Sequence, residues 1–135
     1  MPGPTRWIVI LIPSSRMIRF LVSNPAPPAP GELPRLRTVR GEAISQLQRG
    51  FLTEEQIDSS RTIMGLDTQF IEDGTYFVVE ARDEIAGCGG WSRRATLYGS
   101  DHSAGRRAHL LDPAVDAARV RAMYTAPAFA RRGVG

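Results

Sequence analysis

The last residues of the sequence have the types and spacing best suited to chemistry. Ala130 is followed by two arginines and by Gly-Val-Gly, the last of which is Gly135. Phosphate groups bind where several backbone N–H groups converge, and Gly133 and Gly135 leave room for that approach. The guanidinium groups of Arg131 and Arg132 can pair with phosphate oxygens. The segment predicts a phosphate-binding turn, and the alternative is a flexible Arg-Gly tail that binds no ligand.

The last third of the chain is basic. All 17 basic residues are arginine, and the net charge is +3. Residues 93–135 contain eight arginines against three aspartates, whereas residues 1–92 contain nine arginines against eleven acidic residues. This imbalance favours an anionic ligand near the C-terminus. Nucleic acid is another anionic class, but no helix-turn-helix, zinc-finger or aromatic RNA-binding signature accompanies the charge, so we expect no nucleic-acid partner.

Few side chains are suited to proton transfer or nucleophilic attack. Glu80 ends a strand-like segment, where a base could act through water, and the alternative is a surface strand terminus. His102 follows Asp101 in a polar stretch, for which a solvated loop is the alternative. His102 and His109 lack the spacing of metal ligands, so we expect no metal. Cys88 is typical of a packed core cysteine rather than of a nucleophile.

Length and composition indicate one globular domain. A chain of 135 residues with 42% apolar and 23% charged residues is ordinary for a single domain. A single cysteine excludes an intramolecular disulfide and favours a reducing compartment, so we expect a cytoplasmic protein. The apolar run Trp7–Ile12 is much shorter than the roughly 20 residues of a transmembrane helix, so we expect no membrane association. Residues 1–16 contain three prolines and predict a poorly ordered extension.

One strand and two helices are predicted next. Met17–Val22 is apolar and β-branched, which indicates a strand. Apolar residues between 33 and 47 recur at spacings of three and four, which predicts an amphipathic helix that ends near Gly50. The segment from Thr53 to Gln56 forms a capping box, so a second helix should begin there and close near Gly65.

The second half of the chain predicts an antiparallel sheet. Residues 75–81 and 85–91 read as strands joined by a short polar turn, which indicates a hairpin. Glycines at 87, 89 and 90 predict a bulge or a close backbone approach in the returning strand. Residues 93–114 read as a long polar loop, and residues 117–125 as a further strand. The fold class is therefore α/β in the broad sense (α+β), with a mostly antiparallel sheet flanked by helices.

This order of elements, with the residues in it, resembles the GNAT superfamily of N-acetyltransferases. The strongest stretches are 66–80, 87–94 and 119–127, followed by 130–135, and the resemblance covers residues 17–135. The family signature reads Gln or Arg, two residues, Gly, one residue, then Gly or Ala. Ala130 departs from its first position, and the glycines at 133 and 135 match. The resemblance implies a partial GNAT fold over residues 17–135.

The resemblance also implies a ligand and a reaction. Acetyl-CoA would be the co-substrate, and an amine would attack its thioester directly, without a covalent enzyme intermediate. The backbone of Met123, Tyr124 and Thr125 would run beside the pantetheine arm. The turn formed by Arg131, Arg132, Gly133, Val134 and Gly135 would hold the pyrophosphate.

The acceptor side is less defined. Trp91, Arg93 and Arg94 are candidates to line the site of a small-molecule or protein amine, against a core tryptophan and a solvated charge pair as the alternative. Glu80 and His102 are the weak catalytic candidates. Homo-oligomerisation remains open.

The family continues beyond the glycine turn with a phosphate-binding helix and further elements, which hold the tyrosine that commonly serves as general acid. A truncated gene model, a remnant and a fragment all explain a sequence that stops at Gly135. The alternative function is therefore a non-catalytic remnant with at most weak CoA or protein binding.

Overall fold

A computed structural model describes residues 25–96, 101 and 109–134. The predicted strand at 17–22 and the extension 1–16 lie outside them. The described elements, in chain order, are α1 (Leu33–Leu47), α2 (Glu54–Ile63), α3 (Gln69–Glu72), β1 (Tyr76–Ala81), β2 (Glu84–Ser92), β3 (Arg119–Thr125) and a 3-10 turn (Pro127–Phe129). The strands form an antiparallel sheet in the order β1-β2-β3. The predicted α+β class with an antiparallel sheet is thus confirmed.

Helix α1 follows its predicted apolar stripe. Leu36, Val39, Ala43 and Ile44 recur on one face and are buried. This spacing places them along a single side of a 3.6-residue helix, which packs against the sheet. The helix ends at Leu47, near the predicted Gly50, which has a φ of 86° in the turn that follows.

Helix α2 begins with the predicted capping box. The Thr53 hydroxyl accepts the Gln56 backbone N–H at 3.2 Å, and the Gln56 side chain accepts the Thr53 N–H at 2.9 Å. Both donors would otherwise lack partners at the helix start. The helix ends at Ile63 because Met64 is extended, with φ −88° and ψ 104°, so the chain leaves it before the predicted Gly65.

Strands β1 and β2 form the predicted hairpin. Ala81 pairs with Glu84, so the loop has two residues, and both have a positive φ, 53° at Arg82 and 64° at Asp83. This is the type I′ pattern, whose twist matches that of the paired strands. Arg35 of α1 donates to the Asp83 carbonyl at 2.8 Å and ties the turn to the helix.

The two faces of the sheet differ. Val78, Cys88 and Tyr124 lie opposite one another on adjacent strands and are buried in the core cluster with the apolar stripe of α1. We call this the inner face. Side chains alternate along a strand, so Phe77, Trp91 and their neighbours form the outer face. On that outer face, Trp91 is 41% exposed.

Candidate functional site

Strand β3 carries a bulge at its centre. Cys88 pairs with Tyr124 and Gly90 pairs with Arg121, so two steps along β2 face three steps along β3. The extra residue lies at Ala122 and Met123, and Ala122 has a φ of 54°. A bulge breaks the regular ladder and redirects the peptide groups within it. The bulge that the sequence predicted on the glycine-rich strand β2 is also present, because Val79 pairs with Gly87 and Glu80 with Ile85, which leaves Ala86 as an extra residue. The bulge on β3 was not predicted.

The glycines of β2 allow neighbouring groups to approach the strand closely. A Cβ at Gly89 would collide with the Met123 side chain, and one at Gly90 with the Thr75 carbonyl oxygen. A Cβ at Gly87 would lie 2.6 Å from Cγ1 of Val134. Real Cβ contacts of this length are essentially absent, so a side chain at any of these three glycines would require a neighbouring atom to shift. The predicted close backbone approach is confirmed.

A cavity of about 190 Å³ lies on the outer face, beside the bulge. Phe77 and Val79 of β1 and the glycines of β2 form one side of it. The remaining wall contains four of the eight residues that the sequence assigned to cofactor binding, namely Met123, Tyr124, Thr125 and Val134, whereas Arg131, Arg132 and Gly133 do not line it. The structure therefore brings the predicted pantetheine strand and part of the predicted pyrophosphate turn to one cavity.

The C-terminal turn has an alternating backbone. Arg131 has a φ of 60° and Gly133 a φ of 73°, with Arg132 between them outside the left-handed region. Alternation of left-handed and right-handed residues draws successive N–H groups toward one point, which is the geometry of an anion-binding nest. The Arg132 guanidinium carbon lies 6.0 Å from the centroid of the Phe129 ring. Gly135 lies outside the described residues.

The predicted acceptor residues are dispersed. Trp91 stands opposite the exposed Val120 on the outer face, so it is not a core tryptophan. Arg93 is exposed. Arg94 donates two hydrogen bonds of 2.6 Å to the Asp73 carboxylate, from Nε and from Nη2. The guanidinium of Arg94 is thus held by a structural ion pair.

Of the two catalytic candidates, Glu80 is among the described residues, and it does not line the cavity. Glu80 forms an ion pair with Arg35 of α1, with 3.6 Å between Oε1 and Nη1. His102 lies outside the described residues. Its neighbour Asp101 accepts hydrogen bonds from the Thr68 backbone N–H at 2.8 Å and from the Thr68 hydroxyl at 3.0 Å. Asp101 thus anchors the loop to the start of α3.

Behind the bulge, on the inner face, lies a cluster of buried polar side chains, of which the sequence predicted only Cys88 as a core residue, and that prediction is confirmed. The Tyr76 hydroxyl donates to the Ala122 carbonyl at 3.3 Å, across a separation of 46 residues. Burial raises the pKa of Tyr76, Cys88 and Tyr124 above their ordinary values, so all three stay protonated at neutral pH. Cys88 therefore lacks the thiolate that a nucleophile needs. No local pattern marks these contacts, because they join distant strands.

A larger cavity of about 440 Å³ lies between α1 and the 3-10 turn. Its lining includes Thr38, Glu42, Glu84 and Phe129 and none of the predicted site residues. We assign no chemistry to this cavity, because its lining mixes carboxylates with apolar side chains and forms no recognisable ligand site.

The comparisons with known proteins provide no identification. No protein-family model matches the chain, and no curated protein or solved structure matches it either. Among the described residues, no helix combines the length and apolar character needed to cross a bilayer. The same part of the chain holds no cluster of three potential metal ligands.

Proposed function

We propose that the chain is part of an acetyl-CoA-dependent N-acetyltransferase of the GNAT fold. The reaction is direct attack of an amine on the thioester. One observation carries the proposal: Met123 of the bulged strand β3 and Val134, which directly follows the positive-φ residues Arg131 and Gly133, line the same outer-face cavity. On this proposal, a phosphate site and a site for a polar carbonyl would lie at opposite ends of the segment from Ala122 to Val134.

The phosphate end rests on backbone geometry and charge. Positive φ values at Arg131 and Gly133, on either side of a residue without one, are typical of turns whose N–H groups converge on an anion. Both arginines are exposed beside it, and arginine pairs with phosphate oxygens through two parallel hydrogen bonds. The site would take the pyrophosphate of CoA.

The thioester end rests on the bulge. Ala122 and Met123 stand outside the paired positions of β2 and β3, so the Met123 N–H is a candidate donor to a carbonyl oxygen. As the amine attacks, negative charge develops on that oxygen, and a fixed donor stabilises it. The C–N bond forms and the C–S bond breaks. The amine nitrogen loses a proton, and the sulfur of the leaving thiolate receives one.

Binding of acetyl-CoA tests the proposal first. A Cβ in the left-handed region costs about 1–2 kcal/mol, so Gly133→Ala should let the free turn relax and weaken binding about tenfold. Isothermal titration calorimetry measures the change. Gly74→Ala is the matched control, because Gly74 has a similar φ of 69° but lies just before β1 and does not line the cavity. It should lose stability and keep its affinity.

Absence of heat and of any thermal shift with wild-type chain and millimolar acetyl-CoA would refute the proposal. A thiol-release assay with a panel of amines then separates catalysis from binding. Binding without thiol release in this chain, and release in one extended beyond Gly135, would assign the chemistry to the longer protein. Binding without release in both would favour the non-catalytic remnant.

A further inference from the structure

Tyr76 of β1 connects the two edge strands of the sheet, β1 and β3, through its hydroxyl. Its side chain is 1% exposed, and its ring meets Phe70 edge to face, with 5.9 Å between centroids. The hydroxyl spans the width of glycine-rich β2 and donates to the Ala122 carbonyl. Gly90 of β2 pairs with Tyr76 on one side and with Arg121 of β3 on the other, so the phenol crosses β2 to reach β3.

The carbonyl that Tyr76 holds belongs to the strained residue of the bulge. Ala122 has a φ of 54°, which an L-residue with a Cβ adopts only when its surroundings enforce it. The Ala122–Met123 peptide is trans, as are all peptides of the described chain. In a planar trans peptide, the C=O and the following N–H point in opposite directions. The Ala122 carbonyl points toward the inner face, where the Tyr76 hydroxyl binds it. The N–H of Met123 in the same peptide therefore points toward the outer face.

We propose that Tyr76 is a positioning residue for acyl transfer: its hydroxyl holds the Ala122 carbonyl and so aims the Met123 N–H at the thioester carbonyl. This inference rests on the proposed function. Tyr76 touches neither co-substrate nor acceptor, because it lies on the inner face and the cavity lies on the outer one. Its role is to keep one donor in place before the reaction begins.

A second observation separates this role from proton transfer. Burial, followed by the nearby Cys88, raises the pKa of Tyr76 far above its ordinary value. The phenol therefore stays protonated over the whole working range and keeps its proton available to donate. A general acid or base would have to change its protonation state, whereas a positioning group must not.

The decisive experiment is carbon NMR of acetyl-CoA labelled with 13C at the thioester carbonyl and bound to the full chain. A hydrogen bond to the carbonyl oxygen moves this resonance downfield. We expect that displacement with wild type and its loss with Tyr76→Phe, which keeps the ring and removes the donor. Affinity for CoA without the acetyl group should stay unchanged. Thr75→Val is the matched control, because Thr75 is a buried neighbour whose hydroxyl donates to the Phe70 carbonyl instead. It should keep the displacement.

Ala122→Gly tests whether the displacement lost in Tyr76→Phe can be restored, which is not expected if Tyr76→Phe only destabilises the protein. Glycine adopts a positive φ without a Cβ penalty, so Tyr76→Phe combined with Ala122→Gly should regain the downfield displacement. The double variant also serves if Tyr76→Phe alone does not fold. An unchanged displacement in Tyr76→Phe, or no displacement in a folded double variant, would overturn the inference. No binding or no displacement with wild type would instead overturn the proposed function.

Discussion

Two ion pairs link the sheet to the segment around α3. Arg121 of β3 reaches Asp67 with 3.5 Å between Nη1 and Oδ2, and the two side chains are 9% and 4% exposed. The same guanidinium lies 5.1 Å from the centroid of the Phe70 ring. Arg94 and Asp73 form the second pair, with two short hydrogen bonds. Buried charges are tolerated only where partners replace the lost water, so removing one member of either pair is costly.

Asp73→Asn tests the second pair through its pH dependence. The hydrogen bonds from Arg94 lower the pKa of Asp73 below its ordinary value of 3.8. The ionised carboxylate therefore stabilises the folded state at neutral pH, and this contribution is lost as the pH falls through the lowered pKa. We expect Asp73→Asn to lose about 1–2 kcal/mol at pH 7 and to approach wild type in strong acid. Urea unfolding at several pH values measures both.

Asp58→Asn provides the comparison for that experiment. Asp58 pairs with Arg61 on the surface of α2, and the two side chains are 67% and 45% exposed. Exposed pairs contribute about 0–1 kcal/mol, so this variant should be close to wild type throughout. If Asp73→Asn and Asp58→Asn lost equal stability at pH 7, the role given to the Arg94–Asp73 pair would be wrong.

At the level of the elements, the β1–β2 turn has the type I′ backbone conformation, but its two central residues are not the types that favour this conformation. Type I′ turns favour Asn-Gly, because both central residues have a positive φ. This turn has Arg82 and Asp83 there. Asp83→Gly should therefore stabilise the protein by about 0.5–1 kcal/mol, since the Asp83 carbonyl that bonds Arg35 is retained. Thermal and urea unfolding measure the gain.

Ala114→Gly is the appropriate control for the turn. Ala114 lies in an exposed turn without a positive φ, so glycine there only adds freedom to the unfolded chain. We expect a loss of about 0.5–1 kcal/mol. A loss of stability in Asp83→Gly as well would show that the Asp83 side chain makes a contribution larger than the backbone relief.

Local patterns predicted the helices and the hairpin because the signals that form them are themselves local. The Thr53–Gln56 capping box spans four residues, and the buried stripe of α1 repeats within one helix. The bulge at Ala122 was not predictable in the same way. Its extra residue depends on the register against β2, and the hydroxyl that holds it comes from a residue 46 positions earlier.

In the candidate site, too, local features were predicted and contacts between distant residues were not. The arginine-glycine turn and the strand before it were predicted from sequence, and the structure places Met123, Tyr124, Thr125 and Val134 along one cavity. The sequence alone could not separate Arg93 from its neighbour Arg94. Asp73 lies 21 positions before Arg94 and becomes its partner only when α3 packs beside β2. Ion pairs of this kind follow from tertiary structure.

For the whole molecule, the single cysteine offers a measure of cooperative unfolding. Cys88 lies in the central strand and is 7% exposed, and burial raises the pKa of its thiol. Labelling by a thiol reagent should require opening of the sheet, and with a typical stability of about 5 kcal/mol it should be slowed at least about a thousandfold relative to the unfolded chain. Labelling kinetics in increasing urea should follow the unfolding free energy.

A variant with an exposed thiol calibrates this measurement. Ser59 is exposed on α2, so Cys88→Ala with Ser59→Cys should be labelled rapidly in the folded state. Rapid labelling of Cys88 itself, without urea, would mean that the sheet opens locally and that the core is not one cooperative unit.

The glycine-rich segment of β2, residues 87–90, also constrains how this sequence can change over evolutionary time. Because a methyl group at Gly87 would meet the Val134 side chain and one at Gly90 would meet the Thr75 carbonyl oxygen, alanine at either position requires that neighbour to shift. Descendants that keep this architecture should vary freely at exposed turns and helix surfaces while the middle of the sheet stays fixed. A saturation library selected only for folding would reveal this as a short invariant window in an otherwise permissive sequence.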